Sequence, residues 1–140
     1  MAELERLLRI HNVSMAGFDL ALGSGALLAP RETLRTLGHR APAPETEELF
    51  RRLGPIWLTF AAAHAVAAAR GQSQDWWALA WLRATEIGTD VVWSRSPGFR
   101  RPGAKAALWF AGAGNLAMAA GFGWLSGRRR GRGPPALLSA

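Results

Sequence analysis

The sequence contains no cysteine, which excludes disulfides, thiolate metal sites and thiol catalysis together. It also lacks the motifs that accompany common chemistries. There is no Gly-x-Ser-x-Gly elbow, no phosphate-binding loop, no dinucleotide fingerprint and no His-Glu-x-x-His helix. Glu-x-x-His, the pattern by which helical bundles hold two irons, is absent too. No catalytic residue and no metal site is assigned, and the chain is expected not to be an enzyme. Lysine is represented by Lys105 alone, so the formal charge of +7 is carried almost wholly by arginine. A secretory signal is not expected at the N-terminus, because Asp19 interrupts the first apolar run and no small-residue cleavage site follows.

What is present is a set of long apolar segments. At 140 residues the chain predicts one domain. Its charges crowd into residues 1–9, 31–52, 95–105 and 128–132, which leaves the intervening stretches strongly apolar. The arginines flank these stretches, an arrangement suited to anionic lipid headgroups, and nucleic acid is not expected as a partner. The pattern predicts an all-α integral membrane four-helix bundle with spans at about 10–29, 53–69, 76–94 and 106–126. Residues 1–127 form this single transmembrane domain, and the basic segment 128–140 is expected to be a disordered tail. A mean hydropathy of only +0.03 keeps a soluble helical bundle as the alternative architecture.

Individual residues punctuate the spans. Pro30 closes the first, and residues 31–37 have the pattern of a short helix. Thr46 with Glu47 and Glu48 predicts the start of the helix that enters the second span, in which Pro55 predicts a kink. Gly71 to Gln74 is a short connection, and Asp75 is placed to cap the third span. Trp57, Trp76, Trp77, Trp93, Trp109 and Trp124 lie near span ends, where indole rings anchor at a bilayer interface. The positive-inside count is close to a tie. The dense arginines of the tail favour cytoplasmic termini.

The residues that could carry chemistry are the polar ones inside the spans. Arg83, Glu86 and Asp90 stand at i, i+3 and i+7 and share one helix face, opposite Trp77, Trp81, Ala84, Gly88, Val91 and Val92. In the first span Asn12, Ala16, Asp19, Gly23 and Ala26 form a small or polar stripe. In the fourth, Ala107, Ala111, Asn115, Ala119 and Gly123 recur every four residues, a groove for close helix packing. His64 is a lone ring on an alanine-rich face. Antiparallel helices would bring His11 and His64 to similar depth, with Asp19, Glu86, Asp90 and Asn115 near the middle. One arginine against three carboxylates requires that some group in this cluster hold a proton. The cluster is a candidate for ligand or proton handling, and a hydrogen-bond network that fixes helix register is the alternative.

Ala21-Leu-Gly-Ser-Gly-Ala-Leu-Leu-Ala-Pro30 closing the first helix, then Leu49-Phe-Arg-Arg-Leu-Gly54 opening the second, resembles the small four-helix bacterial membrane proteins called DoxX-like. The likeness extends over residues 10–125 as a pattern of helix lengths and glycine, arginine and proline placement. It implies a bacterial cytoplasmic-membrane location and, from some relatives, association with quinone-linked or redox complexes. It transfers no site residue. The expected function is that of a non-enzymatic accessory or scaffold subunit whose partners are the lipid bilayer and other membrane subunits or further copies of itself. The alternatives are a small proton-coupled transporter or lipophilic-ligand binder using the polar cluster, and a redox partner with haem or quinone near His11 and His64. No cofactor is assigned on the first two.

Overall fold

The structure, a computed structural model, describes residues 2–37, 39, 41–95 and 102–130, with all their side chains except those at 90, 93, 102–105, 107, 108, 110, 111 and 129. Five helices account for almost all of these residues: α1 (Ala2–Leu28), α2 (Pro30–Thr36), α3 (Pro44–Arg70), α4 (Ser73–Ser94) and α5 (Pro102–Arg130). Proline opens α2, α3 and α5, where its missing N–H would have had no partner in any case. Glu3 and Glu5 in α1, and Glu45 and Glu47 in α3, put negative charge in the first turn against the positive end of the helix dipole. Gly71 follows α3 with φ of 61°, a left-handed conformation that releases the chain from the helix at little steric cost. The Asp75 carboxylate accepts from the Gln72 N–H at 3.2 Å at the start of α4. Helix α3 runs through Pro55, with the Thr59 hydroxyl donating to the Pro55 carbonyl at 2.8 Å.

The four expected spans coincide with parts of α1, α3, α4 and α5, the first overrunning α1 by one residue, but they are not membrane spans. Among the described residues no helix is long and apolar enough to cross a membrane. The expectation of an integral membrane four-helix bundle in the bacterial cytoplasmic membrane, with its transmembrane segments and cytoplasmic termini, is corrected accordingly. Length is not the shortfall in α1, since a span takes about 20 residues and this helix has 27. The shortfall is apolarity. His11, Asn12, Ser14 and Asp19 interrupt α1, while Arg83, Thr85, Glu86 and Thr89 interrupt α4. A charge at the centre of a span costs roughly 2.5–3.5 kcal/mol on insertion scales. Helix α5 is built largely from alanine and glycine around Asn115, a composition of modest hydropathy. Helix α5 also takes in Arg128 to Arg130, the first part of the expected tail; residues 131–140 lie outside the described residues.

The chain forms two compact units, Arg9–Ala68 and Met1–Leu8 with Ala69–Ala140. In the first, α1 and α3 run antiparallel. The buried residues of α1 are Asn12, Asp19, Gly23 and Ala26, and those of α3 are Phe50, Gly54, Ala61, His64 and Ala67. Both sets keep to spacings of three, four and seven, so each helix buries one face. At one end Leu34 of α2 joins Ala26 and Phe50 in a small apolar core flanked by Leu22 and Trp57. The Phe50 and Trp57 rings lie 5.3 Å apart between centroids.

In the second unit α4 packs against α5. Trp76, Leu79, Ala80 and Arg83 are buried on α4 at i, i+3, i+4 and i+7. Asn115, Met118, Phe122 and Leu125 are buried on α5 at i, i+3, i+7 and i+10, again one face. Trp76 stacks in a tilted arrangement on Phe122 with centroids 5.7 Å apart, and the Ser73 hydroxyl donates to the Ser126 carbonyl at 2.9 Å, which sets the two helices antiparallel. Near the N-terminus Glu5 meets Arg128 at 3.8 Å.

Candidate functional site

Helix α1 turns Asn12 and Asp19 inward. Asn12 and Asp19 are seven residues apart, two turns of one face, and both are fully buried along with His64 of α3. The glycine pair one turn beyond permits this close approach. A Cβ built on Gly23 would lie 2.9 Å from the Gly54 carbonyl oxygen, and one on Gly54 would lie 3.0 Å from the Gly23 carbonyl oxygen. The helices therefore meet backbone to backbone here, with Leu27 and Leu58 packed against the two glycines.

Within that seam Asn12 makes two hydrogen bonds to His64. Its Nδ2 donates to the His64 carbonyl oxygen at 3.0 Å, and its Oδ1 lies 2.7 Å from the ring Nδ1. On the other side of the ring, Nε2 stands 3.6 Å from Asp19 Oδ2. Asn12, His64 and Asp19 thus form one continuous polar line through the interior of this unit. Burying such groups without partners would cost several kcal/mol, and their mutual bonding is what makes the arrangement tolerable.

The other unit holds a second buried charge. Arg83 is 1% exposed, and its Nη1 donates to Glu86 Oε2 at 2.5 Å, one helical turn away. A guanidinium does not lose its proton in proteins, so its burial demands a carboxylate partner, and Glu86 supplies one. Asn115 of α5 is buried in this unit as well.

The residues singled out in the sequence divide as follows. Asp19 is brought to His64, and Arg83 to Glu86. His11 is exposed on α1, so it does not share the depth of His64 and no two-histidine site for a haem or quinone forms between them. Asp90 has a side chain outside the described set, as do Ala107, Ala111 and Trp93. Ala119 and Gly123 are half-buried on α5, and a Cβ on Gly123 would touch that of Ala80 at 4.0 Å. The interfacial role given to the tryptophans depended on membrane spans and falls with them. Trp76 is wholly buried, Trp57 and Trp124 are half-buried, and Trp77 and Trp109 are exposed. Arg128 lies over the Trp124 ring at 4.9 Å.

Asn12 is the residue that the sequence reading left out of the candidate site. It stood in the small or polar stripe, and its seven-residue spacing from Asp19 was the available signal. Its partner on α3 could not be read from the chain. Among the described residues no group of three or more histidines and carboxylates could hold a metal ion.

No protein-family model matches the chain, and no solved structure matches it. A segment of human nestin is 46% identical over 57 residues, which make up 41% of this chain and 4% of nestin. The chain therefore covers a small fraction of that protein, and the match is too partial to place it in a family.

Proposed function

We propose that this protein is a non-enzymatic accessory or scaffold subunit that packs against a helical protein partner through apolar faces turned outward. The observation that carries this reading is the outer stripe of α4. Trp77, Trp81 and Val92 are 53%, 65% and 67% exposed, and Ala84 and Gly88 between them are exposed too. These positions fall at i, i+4, i+7, i+11 and i+15, so they line one face, opposite the buried Arg83. Exposed indoles and aliphatics in a continuous row are costly in water, and tryptophan is the residue type most enriched at the energetic centres of protein interfaces. Helix α1 supports the same reading in the other unit, where Ile10, Val13, Phe18 and Leu20 are all at least half exposed while Asn12 and Asp19 are buried.

Small residues between the tryptophans suit this use. Ala84 and Gly88 leave room for a partner helix to approach closely, while Trp77 and Trp81 supply rigid apolar area at low entropic cost. Purification of the tagged full chain under native conditions tests the proposal. A larger complex of fixed stoichiometry is expected, and Trp77→Ala with Trp81→Ala should release the partner with the helical circular dichroism unchanged. A monodisperse monomer that co-purifies with nothing would overturn it, and so would recovery with lipid vesicles alone.

A further inference from the structure

The outer row of α4 is divided by residue size. Trp77 and Trp81 stand toward its N-terminal end, Ala84 and Gly88 toward its C-terminal end. Ala84 and Gly88 are exposed, and a Cβ built on Gly88 would meet no described atom within 4 Å, so the space above it is open. A glycine inside a helix costs about 1 kcal/mol relative to alanine, and no contact among the described residues calls for this one. The row thus offers two large projections and two recesses, and their spacing is symmetric. Trp77 and Gly88 lie equally far from the midpoint between Leu82 and Arg83, and so do Trp81 and Ala84.

We propose that this face pairs with a second copy of itself, antiparallel about a two-fold axis at that midpoint. The pairing rests on the partner-binding reading of the same face and names the partner. In a contact of this symmetry, a residue at a given distance on one side of the axis faces the residue at the same distance on the other side in the second copy. Trp77 then lies against Gly88 of the second copy and Trp81 against its Ala84, each indole filling the place of a missing side chain, and the same contacts recur in reverse. A parallel pair would set indole on indole at one end and glycine on glycine at the other, overpacked and then hollow.

Charge favours this occupant. A chain of net charge +7 repels its own copies, so they meet most readily where charge is missing. From Trp77 to Val92 none of the exposed described residues of α4 is charged, and Arg83 is buried on the opposite side of the helix beside Glu86. Antiparallel copies of α4 also set the positive end of each helix dipole beside the negative end of the other. An uncharged row gives phosphate nothing to bind, which disfavours nucleic acid and anionic lipid in the same place. Covering the exposed parts of Trp77 and Trp81 would bury about 300 Å² per copy if a whole tryptophan contributes roughly 250 Å². That is more than a third of the roughly 800 Å² per partner of a standard interface, and Ala78, Thr85, Thr89 and Val92 around the row add to it.

Analytical ultracentrifugation of the purified full chain tests the pairing, and a concentration-dependent equilibrium between monomer and dimer is expected. Gly88→Leu enters open space in the single chain and favours the helix, yet it should weaken dimerisation by about tenfold or more with the helical circular dichroism retained. Because the chain has no cysteine, single substitutions report the direction of pairing without background. Ala84→Cys lies close to the axis and should be joined between copies by a short thiol cross-linker. The two copies of Val92→Cys would stand roughly 28 Å apart along antiparallel helices and should not be joined. Cross-linking at Val92→Cys, or its absence at Ala84→Cys, would overturn the pairing. So would a dimer untouched by Gly88→Leu, or a chain that stays monomeric at high concentration. If such a monomer still recovers another protein through Trp77 and Trp81, the self-pairing fails while the partner-binding reading stands; a monomer that recovers nothing ends both.

Discussion

Gly23 of α1 and Gly54 of α3 face each other so closely that a methyl group on either would meet the other's carbonyl oxygen, at 2.9 and 3.0 Å. The contact sets how near the two helices come, and hence whether the short side chain of Asn12 can reach His64. It also separates these glycines from other helical glycines of the chain. Gly17 and Gly88 have no atom within 4 Å of an added Cβ.

Gly23→Ala should therefore lower stability by about 1–3 kcal/mol, since the added methyl overpacks against backbone that cannot yield. Gly17→Ala should raise it by up to about 1 kcal/mol, because an exposed helical glycine is replaced by the best helix former. Denaturant melts of the two variants beside the parent chain give opposite signs if the contact is as described.

Asn12→Ala should cost about 1–3 kcal/mol, since it removes both bonds to His64 and leaves the buried ring without its partner at Nδ1, while the His64 carbonyl keeps its backbone bond within α3. Leucine at the same position should do no better, because it fills the space without accepting or donating. Thermal unfolding followed by circular dichroism measures this effect.

Adjacent tryptophans on α4 should respond in opposite ways. Trp76 is wholly buried against Phe122, and its replacement by alanine should cost about 3–5 kcal/mol through lost burial and a residual cavity. Trp77 is half exposed, and its replacement should change the stability of the isolated chain by no more than about 0.5 kcal/mol. A weakened partner interaction in Trp77→Ala, with an unaltered melt, would match the proposed use of the outer stripe.

Arg31 and Glu47 form a surface pair at 2.6 Å, and the hydrogen bond and charge of Glu47 raise the Arg31 guanidinium above its ordinary value. A group raised in the folded state contributes fully below its unfolded pKa and loses that contribution only as pH climbs through the folded one. For arginine that window is strongly alkaline. Arg31→Gln should consequently show the same small difference from the parent at neutral and mildly alkaline pH, and no resolvable change in Tm, because the side chain is half exposed.

The helices were legible in the chain because periodicity and punctuation are local. Pro30 and Gly71 lie at helix boundaries, and the spacing of Arg83 and Glu86 put them on one face, where the structure pairs them. The stripe of Asn12, Ala16, Asp19, Gly23 and Ala26 was visible in the same way, and all of it is buried except Ala16, which is half-buried. Which environment those helices occupy was not legible. Apolar runs broken by His11, Asp19, Arg83 and Glu86 suggested spans held together by a shared polar centre, and no helix among the described residues meets the requirement for crossing a membrane.

Sequence alone determined the helical periodicity, the absence of thiol chemistry and the placing of Asn12 and Asp19 on one face of α1, since each follows from residue type and a repeat of 3.6. Only the tertiary structure decided that Asn12 is the partner of His64, that Asp19 meets the opposite ring nitrogen and that His11 stays outside. Those are contacts across 52 and 45 residues of chain, which is the separation of the paired positions in numbering. They depend on the register of one helix against another, and that register is set by the Gly23 and Gly54 approach, a close packing of backbone that residue type permits but does not dictate.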